Sequence, residues 1–348
     1  MSNENETREG SLADATKKLG AVPYGETSRK YRRTIFRHKD WVAHRSSSSR
    51  IVDNLQSIFF SGVVRQLRPQ VTAVSVVAAV ILAWNYLATT STGFPTDNLD
   101  LNVISLPTLP FTVSSPALGL LLVFRTNAAY FRWMSGRDSW ARMIVHGKNL
   151  VRMASVFCTD SDALEEFSKV VWLYCRSVMN KLSSPDEDED VYVDEVQRVF
   201  GNSPIAQKIV SSDRVTSAWK EMSIQLHSLP ANDPKALIET DKSIIILGEC
   251  TSICEKIYAS PVPLVYTRHT ARYLSVWSLL LSCALYSSFD GAGETWVVLP
   301  ASAVIAFFLF GVDELAMQLE EPFSILPMRA FCDEIFESNQ LLIGKNEC

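Results

Sequence analysis

Two long runs of uncharged residues constrain the fold of this chain more than any other feature. Residues 71–88 and 106–124 form runs of 18 and 19 residues without a formal charge, and most of these residues are apolar. A helix needs about 20 such residues to cross the hydrocarbon core of a membrane. Both runs therefore predict helices that span a membrane.

Two shorter apolar runs, 274–289 and 296–311, contain 16 residues each. Either run alone could be a buried core helix. The short link at 290–294 joins them, and Trp277 and Trp296 have the interfacial character of membrane-flanking aromatic residues. The sequence therefore predicts four spans in two hairpins, with a soluble helical protein of very apolar core as the alternative.

The distribution of Lys and Arg predicts the orientation of these spans. Ten basic residues lie between 29 and 68, whereas the loop at 89–105 has two Asp residues and no Lys or Arg. The link at 290–294 is also free of basic residues. By the positive-inside rule, both termini and residues 131–268 lie on one cytoplasm-like side.

The segment 131–268 has the pattern of helices, because 165–182 and 241–260 repeat apolar residues at intervals of three and four. Polar breaks rich in Pro and Asp lie at 183–190 and 228–235. We predict an all-α membrane protein whose four transmembrane helices continue into an intracellular helical bundle. The predicted segments are a flexible N-terminal tail (1–34), an amphipathic approach helix (35–70), a first transmembrane hairpin (71–130), an intracellular or stromal helical region (131–268), a second hairpin (269–311) and a C-terminal segment (312–348).

Composition and motifs exclude several functional classes. The net charge of −5 and the pI of about 5.6 give no global basic character that would favour nucleic acid. Phosphate-binding glycine loops and the HExxH and GxSxG motifs are absent, so we expect neither an enzyme nor a cofactor. Cys250 and Cys254 favour a buried pair over a metal site, and residues 186–190 favour a solvated acidic loop over a cation site.

An apolar stripe lies within the second predicted span. Pro116, Leu120 and Phe124 are four residues apart, which places them on one narrow face of a helix. Apolar residues at this spacing usually pack against neighbouring helices. On a helix that leaves the membrane, the same stripe is also typical of a pore-lining element, so the spacing alone fits both interpretations.

Polar and basic residues surround this stripe in the sequence. Ser114, Ser115 and Asn127 place small polar groups above and below it. Arg125 and Arg132 begin a basic series that would favour anions over cations in a vestibule. We therefore predict that these five residues line the polar parts of the pathway.

Five segments resemble the bestrophin family of anion channels, in particular its plastid thylakoid branch of voltage-dependent chloride channels. The matching segments are DWVAHRSSS (40–48), FRTNAAYFRW (124–133), GRDSWARM (136–143), SPVPLVYTRHTARYLSVW (260–277) and GVDELAMQLEEPF (311–323). They occur in the same order and at matching spacing, and the resemblance covers roughly residues 35 to 340.

This resemblance implies a helical homopentamer in a lipid membrane, with one central pathway for chloride and other small anions. The family narrows its pore at a hydrophobic neck, and the match carries this role to Pro116, Leu120 and Phe124. Pro116 departs from the bulky side chain that is usual there. A subunit with four spans has no room for its own pore, which also favours an oligomer.

A second departure concerns calcium. Animal bestrophins place an acidic calcium-binding run directly after the motif that corresponds to 321–323, whereas residues 324–329 are Ser, Ile, Leu, Pro, Met and Arg. Apolar and basic groups do not replace the hard oxygen ligands that calcium needs. The resemblance therefore implies activity that is independent of calcium and voltage-dependent, with no bound metal.

Three functions stay open at this point. The first is a chloride channel of the chloroplast thylakoid membrane, or of the plasma membrane in a bacterium, that dissipates membrane potential and adjusts the proton-motive force. The second is a bicarbonate-conducting channel that supports carbon concentration. The third is a helical membrane scaffold in which the stripe is packing alone.

Overall fold

The structure is a computed structural model that describes residues 33–46, 62–91, 102–230, 234–290 and 293–344. Residues 1–32 of the predicted tail and residues 47–61 of the predicted approach helix lie outside these ranges. The described residues fold into helices without any β-strand, which confirms the all-α prediction. The helices are α1 (His38–Ser46), α2 (Gly62–Ser91), α3 (Leu109–Phe157), α4 (Ser161–Leu182), α5 (Pro185–Phe200), α6 (Pro204–Val210), α7 (Arg214–Ser228), α8 (Pro234–Ala259), α9 (Leu264–Asp290), α10 (Val298–Glu320) and α11 (Met328–Leu342), with a short 3-10 helix at Thr295–Val297.

The described residues divide into two compact units. The first unit contains residues 36–131 and 261–320, and the second contains residues 33–35, 132–260 and 321–344. In the first unit, α10 packs along α2, and α9 packs against both helices. The Ser282 hydroxyl in α9 donates to that of Ser302 in α10 at 3.1 Å, which joins these two helices through a buried polar contact.

Three described helices are long and apolar enough to cross a membrane, which fits an integral membrane protein. They are found at Val64–Thr90, Leu109–Phe157 and Thr295–Glu320, and they cover all or most of three of the four predicted spans. The remaining predicted span, 274–289, lies in α9, which is 27 residues long but carries many serines within the run. Because these serines lower its hydropathy, composition alone does not identify α9 as a span.

The helix α3 is one uninterrupted element of 49 residues, although Pro116 lies inside it. At about 1.5 Å per residue it is roughly 73 Å long, more than twice the ~30 Å hydrocarbon core of a bilayer. Its length therefore exceeds what a membrane crossing requires.

The segment before α3 is fixed by the buried side chain of Asn85 in α2. The Asn85 amide donates to the carbonyl oxygen of Ile104 at 2.9 Å and accepts from the Ile104 amide at 2.7 Å. Trp84 donates its indole N–H to the carbonyl of Asn102, and the Leu106 amide donates to the carbonyl of Cys283. Residues 102–106 are therefore held by both α2 and α9.

The second unit is built around α4, which packs against α5, α7, α8 and α11. Asp160 begins α4 as its N-cap, because the carboxylate accepts hydrogen bonds from the amides of Asp162 and Ala163. Both Cys250 and Cys254 of α8 are fully buried, which confirms the buried pair. Burial raises the pKa of the Cys254 thiol to about 12, so the group is a poor nucleophile at neutral pH.

The acidic run at 186–190 is not the solvated loop that we predicted. Pro185 begins α5, so the run forms the first turns of a helix, where negative charge is favourable. Asp188 is buried and accepts two hydrogen bonds of 2.8 Å from Arg176. Glu189 accepts from Arg214 at 2.6 and 2.7 Å, and these hydrogen bonds hold the pKa of Glu189 below its usual value.

The buried Arg176–Asp188 pair provides a test of this fold. Arg176→Met leaves the Asp188 carboxylate buried without its main partner, which costs about 3–5 kcal/mol and lowers Tm by roughly 10 °C. Differential scanning fluorimetry of the detergent-solubilised protein measures this change. Arg198→Met, on the exposed side of α5, is the control and leaves Tm nearly unchanged. Equal shifts for the two variants would contradict the buried pair.

Candidate functional site

An apolar strip lies exposed along the membrane part of α3. Leu120 and Phe124 are 54% and 55% exposed, and Pro116 is also exposed. Leu109 and Val113 extend the same face towards the start of the helix. A Cβ atom added at Gly119 would meet nothing within 4 Å. The strip therefore packs against no other element of the described chain.

The three predicted polar neighbours of the strip occupy different faces of α3. Asn127 is exposed on the same face as the strip, about one turn beyond Phe124. Ser114 is turned towards α9, where its hydroxyl accepts a hydrogen bond from Trp277 at 3.1 Å. The Ser115 hydroxyl donates to the carbonyl of Thr112 at 3.2 Å. Among these neighbours, only Asn127 continues the strip.

Arg125 lies on the opposite side of α3 and is 5% exposed. Its guanidinium group forms an ion pair with Asp313 of α10, inside the first unit. A charge in a low-dielectric environment is strongly unfavourable without such a partner. Because Arg125 follows Phe124 directly, this pair holds the strip on the outward side of the helix.

The backbone of α3 also receives hydrogen bonds from α9. The Tyr273 hydroxyl donates to the carbonyl of Ser114 at 3.0 Å, and the Tyr266 hydroxyl donates to the carbonyl of Leu121 at 3.2 Å. Between these contacts, Leu118 and Leu122 of α3 pack against Leu274. The inner face of α3 is therefore fixed to α9 by both polar and apolar contacts.

Arg132 lies in the second unit, where it binds the C-terminal end of α8. Its guanidinium donates to the carbonyl of Ser260 at 2.6 Å and to the carbonyl of Ile257 at 2.7 Å. The last carbonyls of a helix lack partners within that helix and carry partial negative charge. Arg132 thus stabilises the end of α8.

The remaining basic residues of α3 also have specific contacts in the second unit. Arg142 and Lys148 form ion pairs with glutamates of α8 and α11 at 3.6 and 2.6 Å. Arg137 stacks on the ring of Phe331, and Arg152 donates to the amide oxygen of Asn149. Two of these four cations therefore contact neutral groups, and two contact carboxylates.

The turn after α10 contains the segment that the resemblance aligns with the calcium-binding run of animal bestrophins. The Glu321 carboxylate accepts hydrogen bonds from the amides of Phe323 and Ser324 at 2.9 and 3.3 Å. Arg33 donates to the carbonyl of Ser324 at 2.9 Å. The described residues contain no group of three or more His, Cys, Asp or Glu arranged to hold a metal ion.

Sequence reasoning missed the partners that orient α3, namely Asp313, Tyr273 and Trp277. Asp313 had a detectable signal, because it is an acidic residue at the end of a long apolar run. Tyr273 and Trp277 carried no comparable signal, since aromatic residues are common near membrane interfaces.

Comparison with known proteins identifies relatives of this chain. Residues 40–340 match the family model described as Bacterial/Fungal Bestrophin protein. Voltage-dependent chloride channel 1, chloroplastic, from Arabidopsis thaliana is 31% identical over 328 residues, which cover 90% of this chain and 74% of that protein. A voltage-dependent anion channel-forming protein from Mesorhizobium japonicum is 27% identical over 280 residues, covering 78% and 82% of the two chains.

The fold has counterparts among solved structures. The crystal structure of a bacterial Bestrophin homolog from Klebsiella pneumoniae superposes with a TM-score of 0.67 and 19% sequence identity. The superposition covers 80% of this chain and 98% of that chain. At this identity the likeness shows a shared fold.

The Arg125–Asp313 pair predicts a specific pattern of stability. Arg125→Gln leaves the partly buried Asp313 carboxylate unpaired and lowers Tm by roughly 10 °C, from a loss of about 3–5 kcal/mol. The exchange Arg125→Asp with Asp313→Arg restores part of this loss, because the two charges again attract each other. Thermal melting of the purified protein measures both effects. Arg268→Gln, an exposed arginine on α9, is the control, and a double exchange no more stable than Arg125→Gln would argue against the pair.

Proposed function

Because the chain belongs to the bestrophin family, we propose that it is an anion channel that passes chloride and other small anions across a membrane. The names of its relatives support this function, since they are voltage-dependent chloride and anion channels. The observation that carries the proposal is the exposed apolar strip on a helix whose opposite face is fixed by buried contacts.

In this proposal Pro116, Leu120 and Phe124 form a hydrophobic neck. Copies of one apolar strip around an axis make a constriction that can lose its water, while polar groups beyond it stay hydrated. The exposure of Leu120 and Phe124 supports this role, because a strip that packed within its own subunit would be buried. Asn127 would supply the first polar ring below the neck.

The proposed assembly is a homopentamer with four spans in each subunit, in which α9 is the remaining span. A single chain that presents its strip outward cannot enclose a pathway, so several copies must surround the axis. The long α9 supports the fourth span, because it packs against two helices that are apolar enough to cross a membrane.

Charge on α3 favours anions over cations. The helix carries six Arg and Lys residues and one acidic residue, Asp138. Asp313 neutralises Arg125, whereas Arg137 and Arg152 contact neutral groups. Positive charge beside a pathway raises the local concentration of anions. Arg137 and Arg152 would thus contribute to anion preference.

We expect activity that is independent of calcium and responsive to voltage. The Glu321 carboxylate already accepts hydrogen bonds from its own turn, and Leu326 and Met328 beyond it are buried in the second unit. Calcium requires several oxygen ligands around one point. The names of the relatives support voltage dependence.

The proposed physiological role is the dissipation of membrane potential. Anions that follow the electric field reduce the electrical part of a proton-motive force and leave the pH gradient. The chloroplastic relatives favour the thylakoid membrane, and the bacterial relatives favour a plasma membrane for a bacterial chain.

Replacing neck residues tests the proposed pathway. Leu120→Ala and Phe124→Ala should each widen the constriction and raise chloride current at least twofold, because dewetting depends on width and apolarity. Planar bilayer recording of the purified protein measures this current. Val304→Ala removes an equally exposed apolar side chain from α10 and serves as the control. Unchanged current in both neck variants would contradict the neck and favour packing.

Calcium removal tests the activation mechanism. Chloride current in bilayers should be the same with millimolar calcium and with an excess of chelator, since residues 324–329 offer no acidic ligands. A matched recording with magnesium controls for screening of surface charge. Loss of current on chelation, with recovery on return of calcium, would contradict this expectation.

A further inference from the structure

We propose that two hydrogen bonds from α9 to Ser114 position the upper turn of the neck and thereby favour the conducting state. This inference rests on the proposed channel function. The Ser114 clamp, as we call it, consists of the Tyr273 and Trp277 side chains of α9 and both oxygens of Ser114 in α3.

Pro116 creates the need for such a clamp. Proline has no backbone N–H, so the carbonyl of Thr112 loses the partner that a regular helix would provide. The Ser115 hydroxyl donates to this carbonyl at 3.2 Å and replaces the missing partner. A side-chain hydroxyl is free to rotate, whereas a backbone amide is fixed by the helix itself. The turn above Pro116 is consequently joined less firmly to the rest of α3.

The Ser114 clamp acts on this same turn. Tyr273 donates to the Ser114 carbonyl at 3.0 Å, and Trp277 donates to the Ser114 hydroxyl at 3.1 Å. The ring of Trp277 also packs against Phe111, with ring centroids 5.7 Å apart. Two hydrogen bonds and one aromatic contact thus join the turn to α9 at the place where α3 lacks a backbone hydrogen bond of its own.

The position of Ser114 around the α3 helix determines how the Ser114 clamp affects the neck. At about 100° per residue, Ser114 lies roughly 120° around the helix from Leu120. The two hydrogen bonds pull Ser114 towards α9, and this pull therefore draws the exposed strip away from the proposed pore axis. Without the clamp, the upper turn can lean outward and narrow the ring formed by Pro116.

Single-channel recording of the full-length protein tests this inference. Ser114→Ala and Trp277→Phe should each lower the ratio of open to closed time about fivefold, which corresponds to the ~1 kcal/mol net worth of one hydrogen bond. The double variant should lower the ratio no further, because both changes remove the same bond. Tyr273→Phe removes a different bond, because Tyr273 donates to the backbone carbonyl of residue 114, which Ser114→Ala keeps. The effects of Tyr273→Phe and Ser114→Ala on the ratio of open to closed time should therefore multiply.

Two control variants separate positioning from general damage. Ser114→Thr keeps the hydroxyl and should retain most of the open time. Ser275→Ala removes a hydroxyl of α9 that bonds to the carbonyl of Ala271 in its own helix, and it should leave the ratio unchanged. Size-exclusion chromatography checks that each variant assembles as the unmodified protein does.

Hydrogen exchange of residues 110–118, measured by mass spectrometry, gives a second readout. Ser114→Ala should speed exchange in this segment about fivefold, and Ser275→Ala should not. An unmodified protein without chloride current would overturn the proposed function and the gating role together. Normal current with unchanged open time and exchange in Ser114→Ala would overturn the clamp alone.

Discussion

The ion pair between the buried Arg125 and the partly buried Asp313 decides which face of α3 points away from its own subunit. Neither charge is stable alone in a low-dielectric environment, so the two groups stay together and fix the rotation of the helix. The contacts of Ser114, Leu118 and Leu122 lie on the same inner side. The exposure of Leu120 and Phe124 follows from this orientation.

The sequence pattern predicted the features that depend on residues close together in the chain. Hydropathy predicted four spans, three of which correspond to described helices that are long and apolar enough to cross a membrane, and the four-residue spacing of Pro116, Leu120 and Phe124 placed these residues on one face. Periodicity could not decide whether that face was packed or exposed, because the answer depends on Asp313, 188 residues away from its partner. The sequence did not predict that Ser114 faces α9 for the same reason, since its partners Tyr273 and Trp277 lie far along the chain.

The sequence predicted least well which charged side chains are buried and which are paired. The run at 186–190 looked solvated, yet Asp188 is buried against Arg176, and Glu189 is bound by Arg214. Formal charge along α3 likewise overstates the positive field, because several of its cations are neutralised by carboxylates distant in sequence. Pairing of this kind depends on tertiary structure, which composition does not contain.

The Asn85 amide has a consequence for the place where α3 begins. The side-chain amide donates to the carbonyl of Ile104 and accepts from its N–H, as a peptide unit of a neighbouring strand would. The Leu106 amide in turn donates to the carbonyl of Cys283 in α9. Residues 102–106 are therefore fixed to α2 and α9 immediately before α3 begins. The place where α3 begins accordingly depends on an amide in another helix, which the sequence of α3 itself does not contain.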